Sequence, residues 1–183
     1  SISDPALRAC CMEILNAPTF FTHPAAARHH HAYEGGLLAH TVEVCDIALG
    51  ISRAASHRTV FEGCPTLRRS FDIPATDILI AAALWHDFAK IHEYALVDGF
   101  WVSTAYRDNL GHITGSAVEF TIAARNAGVA KDTIEAVQHC IMAHHGRREW
   151  GSPVEPQTIE ALILHHADMM SARYGATANR NEP

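Results

Sequence analysis

The chain carries apolar residues at helical spacing over most of its length. The stretch after Gly36 shows this most clearly, because mostly apolar residues share one face at i, i+3, i+4 and i+7 intervals. That face comprises Leu37, His40, Thr41, Val44, Ile47 and Ala48. The same pattern predicts helices over about residues 5–16, 36–53, 76–91, 111–126, 132–145 and 158–174.

Capping and breaking residues support the ends of several predicted helices. Asp4-Pro5 is typical of a helix start, with the aspartate as N-cap and the proline in the first turn. Asp132 and Glu135 have the D-x-x-E spacing of a capping-box variant, which predicts another start. Gly175 follows the last periodic residue and is expected to end the final helix.

A short hairpin interrupts the helical pattern. Two apolar runs, residues 94–97 and 100–102, flank Asp98-Gly99, and this dipeptide between such runs is a hairpin signal. The chain has no βαβ alternation and no glycine-rich phosphate loop. We therefore expect an all-α helical bundle with one small β-hairpin near residues 94–102.

Length and composition narrow the class of protein. With 183 residues one domain is the default, and we expect it over residues 1–174, with a flexible tail over residues 175–183. No apolar run approaches the roughly 20 residues that cross a bilayer, and no secretory signal is visible, so no membrane partner is expected. The five cysteines are odd in number and lack CxxC spacing, which favours reduced thiols in a cytoplasmic protein.

The charge balance limits how the chain can bind phosphate. Its formal net charge is −6, whereas proteins that grip long nucleic acid through their overall field are usually basic. Any phosphate group must therefore be held locally, by metal ions or by a few basic side chains.

Histidine is frequent, with 14 residues, and several histidines and aspartates fall on predicted helices. Imidazoles with a few carboxylates suit a borderline transition-metal ion, and packed helices can hold such groups in place. The candidate metal ligands are His40, His86, Asp87, His112, His144, His145 and Asp168.

The pair His86-Asp87 favours a two-metal arrangement. A carboxylate has two oxygens and an imidazole cannot bridge, so Asp87 is the natural bridging group for ions about 3.5–4 Å apart. His40 and Asp168 would complete the first metal site. The second would be completed by His112, His144 and His145.

Such a centre suits a phosphoester substrate. Two divalent ions, two aspartates and a bridging hydroxide leave about +1 of charge, which attracts a phosphate oxygen. Metal binding lowers the pKa of water to about 7 in the best cases, so hydroxide is available at neutral pH. Lys90 lies three residues after Asp87 on the same helical face and could stabilise the phosphate, which makes these two residues the catalytic candidates.

Three residues after the histidine pair are candidates for substrate binding. Arg147 and Arg148 could clamp a phosphate in bidentate fashion, although a solvated loop explains them equally well. Trp150 could stack on a base, although a packed loop anchor is the more common role.

The order of these motifs resembles that of the HD-domain metal-dependent phosphohydrolases. The H…HD…D pattern is carried by His40, His86-Asp87 and Asp168, and the similarity covers about residues 29–174. The matching segments are GGLLAHT around His40, HDFAK at 86–90, GHI at 111–113, AHHGRREWGSP at 143–153 and LHHADMMSA at 164–172. A lone histidine on an apolar face is more often a core residue, but these segments in order favour a metal centre.

The histidines beyond this pattern narrow the resemblance. His112 and His144-His145 resemble the five-histidine binuclear subset, which includes the HD-GYP phosphodiesterases. Overall the chain is most similar to the HD domain of a bacterial 3′–5′ exoribonuclease that carries an OB-fold before it. The chain departs from both groups, because it has no OB-fold and reads GRREWGSP where a GYP motif would stand. Gly36 also replaces the glutamate that supports a third metal in some HD-GYP proteins.

The resemblance implies a phosphohydrolase in which metal-activated hydroxide cleaves a nucleotide or a short single-stranded oligonucleotide. Two divalent ions are expected, Mn²⁺ or Fe first, with Zn²⁺, Co²⁺ or Ni²⁺ as further candidates because ligand type alone does not decide. Three alternatives stay open: a mononuclear nucleotidase, a metal-containing module that senses a nucleotide without turnover, and a domain of a larger nucleic-acid enzyme. The sequence leaves the oligomeric state open.

Overall fold

The computed structural model describes residues 1–27, 31–56 and 75–178. Its α-helices are α1 (Pro5–Met12), α2 (Gly36–Ser56), α3 (Thr76–Trp85), α4 (Lys90–Glu93), α5 (Ala105–Asn109), α6 (Gly111–Asn126), α7 (Lys131–Ala143) and α8 (Ile159–Ala178). Its strands are β1 (Tyr94–Val97) and β2 (Phe100–Ser103), and short 3-10 turns lie at Glu13–Asn16, Pro18–Phe21 and Arg148–Trp150. The predicted helical bundle with one hairpin is confirmed.

The core forms around α3, which packs against α1, α2, α7 and α8. Its alanines are fully buried and let the neighbouring helices approach closely, while α2 also packs along α8. The largest apolar side chains that are fully buried are Leu7, Leu37, Val44, Leu79, Phe120, Val137, Ile141 and Leu164. Each such side chain stabilises the fold by about 1.5–3 kcal/mol through its burial, and together they fix the helices that carry the site.

The hairpin follows the predicted turn. The strands β1 and β2 pair antiparallel, with Tyr94 opposite Ser103. Asp98 and Gly99 have φ angles of 49° and 83°, the left-handed values that a two-residue type I′ turn requires at both positions.

The helix starts agree with the capping predictions in one case and not in the other. Asp4 caps α1, because its carboxylate accepts hydrogen bonds from two backbone N–H groups of the first turn, at 2.8 and 3.2 Å. The predicted capping box of Asp132 and Glu135 is wrong. The helix α7 begins at Lys131, so Asp132 already lies inside it and cannot reach back to cap it. Glu135 instead pairs with Lys131 at 3.4 Å.

One additional helix and one helix end differ from the expectation. The short helix α5 was not predicted, and α8 continues past Gly175 to Ala178. A glycine inside a helix costs about 1 kcal/mol but does not force an end. Residues 179–183, the last part of the expected tail, lie outside the described residues. None of the described helices combines the length and the apolar character that a membrane span needs.

The predicted continuous helix over residues 76–91 is wrong, because α3 ends at Trp85. His86 donates from Nδ1 to the carbonyl oxygen of Ala83 at 2.8 Å. In a continuing α-helix that carbonyl would accept the backbone N–H of Asp87. The chain therefore tightens into turns with i to i+3 hydrogen bonds before α4 begins.

The helix α7 also ends before the predicted position. It stops at Ala143 rather than near His145, and His144 is its C-cap. Gly146 follows with a φ of 83°, a conformation that suits glycine. A Cβ at this position would collide with the ring of His165. The chain turn after the histidine pair is therefore packed directly against α8.

Candidate metal centre

The structure brings the seven predicted ligands together in two adjoining groups. Within each group, one ligand atom per residue lies within 4.8 Å of the others. The first group comprises His40, His86, Asp87 and Asp168, and the second comprises His112, His144 and His145. These residues come from α2, from the turn after α3, from α6, from the end of α7 and from α8, so the tertiary fold creates the cluster.

Asp87 lies between the two groups, with one carboxylate oxygen facing each. Its Oδ2 is 3.3 Å from His40 Nε2 and 3.4 Å from His86 Nε2. Its Oδ1 is 3.4 Å from His112 Nε2 and 3.7 Å from His144 Nε2. The residue is 1% exposed; its Oδ2 is paired with the Lys90 ammonium, whereas its Oδ1 has no hydrogen-bond partner among the residues that the structure describes. A buried carboxylate in this state needs positive charge beside it.

All five histidines turn the same nitrogen away from the centre. Their Nδ1 atoms contact outer oxygens: Ser171 Oγ at 2.9 Å from His40, Ala83 O at 2.8 Å from His86, Glu93 Oε1 at 2.9 Å from His112, Ile141 O at 2.6 Å from His144 and Trp150 O at 3.0 Å from His145. Carbonyl and carboxylate oxygens only accept, and the Ser171 hydroxyl is itself donated to Glu43. Each Nδ1 therefore carries a proton, and whenever a ring is neutral the lone pair of its Nε2 points inward. Metal-ligating histidines are usually fixed in this way.

The inner nitrogens fit a cation better than they fit each other. His40 Nε2 and His86 Nε2 are 3.3 Å apart, and His112 Nε2 is buried with no hydrogen-bond partner in the described part of the chain. Lone pairs and carboxylate oxygens crowded at these distances repel one another unless a cation lies between them. Imidazoles with two carboxylates are the donor set of a borderline divalent metal ion, so the residues present fit such ions.

The electrostatics of the first group also favour a cation. Burial raises the pKa of Asp87, but the charges of Lys90 and His86 outweigh burial and hold it well below its usual range. Burial likewise opposes ionisation of Asp168, but its hydrogen bond with His40 keeps the pKa low. Burial lowers the pKa of His40, but Asp168 and then Asp87 raise it to about 9. The two carboxylates are thus ionised, and they favour positive charge where their oxygens meet His40.

Two histidines of the second group, His144 and His145, stay neutral. Burial lowers the pKa of His144 well below its usual range, and the neighbouring His145 lowers it further. Burial also lowers the pKa of His145, with a further contribution from His112. Both rings are therefore uncharged at neutral pH, and each can bind a metal through Nε2 without first losing a proton.

Lys90 lies beside the bridging candidate. Its Nζ is 2.6 Å from Asp87 Oδ2, and its side chain is mostly buried. Burial lowers the pKa of Lys90, but Asp87 outweighs this and raises it, so the ammonium form is kept. With Asp87 and Asp168 at −2 and Lys90 at +1, these three groups sum to −1, which a proton on His40 balances and which a metal ion would balance in place of that proton.

Three residues behind the ligands were not identified from the sequence. Glu93 is buried and accepts from both the backbone N–H of His112 at 2.7 Å and its ring at 2.9 Å. Ser171 and Glu43 stand behind His40. A signal did exist: Ser171 lies three residues after Asp168 and Glu43 three after His40, the spacing that puts side chains on one helical face.

A cavity of about 180 Å³ opens beside the first group. It is lined by Ala25, Ala26, His31, His40, Asp87, Lys90, His145, Asp168 and Ala172. The predicted substrate residues Arg147, Arg148 and Trp150 are exposed and do not line it. Arg147 borders a second cavity of about 430 Å³, and its guanidinium lies 5.0 Å from the ring centroid of Trp150. The Trp150 carbonyl, which holds the ring of His145, connects this pair to the centre.

Comparison with known proteins places the same segments in one family. Residues 37–173 match the family described as the HD domain. The 3′–5′ exoribonuclease YhaM of Geobacillus sp. (strain WCH70) is 33% identical over 157 residues, which are 84% of this chain and 42% of that protein. The proteins of the same name from Bacillus subtilis (strain 168) and Listeria innocua serovar 6a are each 33% identical, over 157 and 156 residues, 84% of this chain and 44% of theirs.

The chain spans a little under half the length of these relatives. No solved structure gives a significant match. The match to the family runs through all seven ligand candidates and covers most of the chain. This chain belongs to the HD domain family.

Proposed function

We propose that the chain is a metal-dependent phosphohydrolase that cleaves a phosphoester of a nucleotide or short oligonucleotide at a binuclear histidine–aspartate centre. The observation that carries the proposal is the position of Asp87, whose two oxygens face two different histidine groups. A carboxylate that uses both oxygens can bridge two cations. Mn²⁺ or Fe suits these donors, and Zn²⁺, Co²⁺ or Ni²⁺ are further candidates. Membership of the HD domain family supports the assignment as a hydrolase.

Each group of ligands has its own task in this proposal. A pair of divalent ions, when bound, supplies Lewis-acid polarisation of the phosphoryl oxygens and lowers the pKa of a water molecule. His40, His86 and Asp168 would hold one ion together with Asp87. The other would be held by His112, His144, His145 and Asp87. Burial of the ligands keeps the local dielectric low, which strengthens every charge interaction with the substrate.

Lys90 would stabilise the charge that develops on the substrate. Lys90 lines the cavity, and its ammonium is paired with the carboxylate of Asp87. A phosphoryl group in the cavity would therefore meet a fixed positive charge, and an ammonium held in place costs no reorganisation when the transition state forms. Lys90 is thus placed as a catalytic residue in the proposal.

The relatives support the class of substrate. They are named as 3′–5′ exoribonucleases, so we propose RNA or a short single-stranded oligonucleotide for this chain. Because the chain has a net charge of −6, it would bind the substrate phosphates through a few local groups and not through its overall field. Arg147, stacked on Trp150, and its neighbour Arg148 are proposed to hold a flanking nucleotide, the arginines its phosphate and Trp150 its base.

The test is hydrolysis of bis-p-nitrophenyl phosphate and of a short single-stranded RNA with added Mn²⁺. We expect turnover by the unmodified chain and a loss of more than about 100-fold in Asp87→Ala, because removing a ligand exceeds the effect of removing its support. Asp108→Asn, an exposed carboxylate outside the site, is the matched control and should keep full activity. No turnover with any divalent metal would favour a sensing module, and full turnover in Asp87→Ala would exclude the proposed centre.

A further inference from the structure

A series of hydrogen bonds connects the wall of the cavity to the back of the first metal group. It runs from Tyr33 through His31, Glu43 and Ser171 to His40. The distances are 3.0 Å from Tyr33 Oη to His31 Nδ1, 3.2 Å from His31 Nε2 to Glu43 Oε2, 2.8 Å from Ser171 Oγ to Glu43 Oε2 and 2.9 Å from His40 Nδ1 to Ser171 Oγ. We call these five residues the Glu43 relay.

When the His31 ring is neutral, one arrangement of protons satisfies every bond of the Glu43 relay. The Glu43 carboxylate only accepts, so His31 Nε2–H and the Ser171 hydroxyl both donate to it. The Ser171 oxygen then accepts from His40 Nδ1–H, and His31 Nδ1 accepts from the Tyr33 hydroxyl. In this arrangement His40 turns an unprotonated Nε2 toward Asp87 and Asp168 whenever its ring is neutral. The charge of Glu43 thus sets the tautomer of a metal ligand that it does not touch.

The Glu43 relay has two arms that meet at Glu43. The metal arm runs through Ser171 to His40, and the cavity arm runs to His31 and Tyr33. The two arms differ in their surroundings. Ser171 and His40 are buried, so a hydrogen bond lost there has no water to replace it. Glu43 is half-exposed, and His31 is mostly buried and lines the cavity with Asp87 and Lys90.

The backbone of His31 is also held in place. It has a φ of 57°, uncommon for a residue other than glycine, and its carbonyl accepts from the N–H of Ala25 at 3.0 Å. A Cβ on Gly36 would collide with the same carbonyl. A conformation of this kind persists where the surrounding structure enforces it, often beside a ligand.

We propose that Glu43 is a positioning residue shared by the metal centre and the substrate cavity. Through Ser171 it holds His40 in the ligating tautomer, and through its direct bond it holds the ring of His31 where a phosphoryl group would lie. The cavity arm rests on the function proposed above, because it needs a phosphoester in that cavity. The metal arm needs only that the centre binds a divalent ion.

The two arms predict different patterns of loss. Ser171→Ala cuts the metal arm alone, and His31→Asn cuts the cavity arm alone, since asparagine tolerates the positive φ at this position. Glu43→Gln removes the charge that both arms share. Asp46→Asn, which neutralises an exposed carboxylate on the same helix, is the matched control for the loss of charge.

The metal arm is tested by Mn²⁺ affinity, measured by competition with a fluorescent chelator. We expect Ser171→Ala and Glu43→Gln each to weaken binding about 10-fold, the lower end of the range for groups that support a ligand. The double variant should be no weaker than either single one, because Glu43 acts through Ser171. Ser171→Thr keeps the hydroxyl and should bind nearly as well as the unmodified chain, as should His31→Asn and Asp46→Asn.

The cavity arm is tested by calorimetric titration of the Mn²⁺-loaded chain with inorganic phosphate. We expect Glu43→Gln and His31→Asn to weaken phosphate binding about 10-fold, while Ser171→Ala leaves it unchanged once metal is saturating. Additive losses of Mn²⁺ affinity in the double variant, or an unchanged affinity in Ser171→Ala, would overturn the relay. Because neither measurement uses turnover, a chain that shows the expected pattern but does not hydrolyse would refute the proposed function and not the relay.

Discussion

His86 and His144 occupy equivalent positions at the ends of α3 and α7. Each is the C-cap of its helix, and each donates from Nδ1 to the carbonyl three residues before it, Ala83 at 2.8 Å and Ile141 at 2.6 Å. Each bond occupies the acceptor that the next turn of helix would use. The two rings then meet with centroids 5.0 Å apart. The same local interaction thus ends two helices and directs two lone pairs into one centre.

Metal binding should stabilise the fold, because the ligands converge only in the native state. At a free Mn²⁺ concentration about 100 times the dissociation constant, we expect the free energy of unfolding to rise by about 2.7 kcal/mol. Urea denaturation with Mn²⁺ and with a chelator measures this difference. The same comparison in Asp87→Ala should show little stabilisation; an equal gain in that variant would place the ion elsewhere.

Glu93 should control the second group of ligands. Its carboxylate accepts hydrogen bonds from the ring and the backbone N–H of His112. Glu93→Gln should therefore weaken the binding of one of the two Mn²⁺ ions about 10- to 100-fold. Metal titration would show a drop toward one tightly bound ion per chain. Glu119→Gln is a matched control, because Glu119 pairs with His92 at 2.8 Å outside the centre. Equal effects of the two substitutions would refute the special role of Glu93.

Gly146 should be required for the turn after the histidine pair. Its φ is 83°, and a Cβ there would meet the ring of His165, so Gly146→Ala should destabilise the fold by more than about 1 kcal/mol. Gly50 lies within α2 with open space around it, and Gly50→Ala should stabilise by about 0.5–1 kcal/mol. Chemical denaturation of both variants provides the comparison, and we expect the two changes in the free energy of unfolding to have opposite signs.

Asp77 should make part of the stability depend on pH. Burial raises its pKa, but the Ser3 hydroxyl and the backbone N–H groups of Ser3 and Asp4 bind its Oδ2, and the net pKa is lowered. A lowered pKa gives stability that is present above the unfolded value of about 3.9 and is lost as pH falls through the folded value. Asp77→Asn should therefore destabilise the chain at pH 7, with a difference that shrinks below about pH 4.

The control for this prediction is Asp132→Asn. Asp132 is an exposed acid in the first turn of α7, so it shares the favourable interaction with the helix dipole, but in the described part of the chain its carboxylate accepts no hydrogen bonds like those of Asp77. Denaturation curves between pH 3 and pH 7 compare the two variants. If both lose the same stability with the same pH profile, the hydrogen bonds to Asp77 contribute nothing beyond the dipole.

Much of the fold was predictable because it depends on local pattern. Periodicity located α2, α6 and α8 and the Asp-Gly turn located the hairpin. The resemblance to HD proteins, drawn from five short segments, is confirmed by the family match. The capping box at Asp132 failed because the same spacing of an acid and a glutamate also occurs inside a helix, where it caps nothing.

The details of the site were less predictable because they depend on tertiary contacts. Helical periodicity runs on through His86, whereas α3 ends at Trp85, where the ring of His86 bonds to the carbonyl of Ala83. Ser171 and Glu43 lie 128 positions apart and meet only when α2 packs on α8. The residue types and their spacing thus indicated the ligand candidates that the fold brings together, whereas the groups that support those candidates required the packed structure.

The position of two ions around Asp87 is tested most directly by anomalous diffraction at the manganese edge from crystals of the Mn²⁺-loaded chain. We expect two peaks about 3.5–4 Å apart. One would lie at Asp87 Oδ2 with His40 and His86, and the other at Oδ1 with His112 and His144. A single peak, or peaks out of reach of both Asp87 oxygens, would contradict a bridging role for this residue.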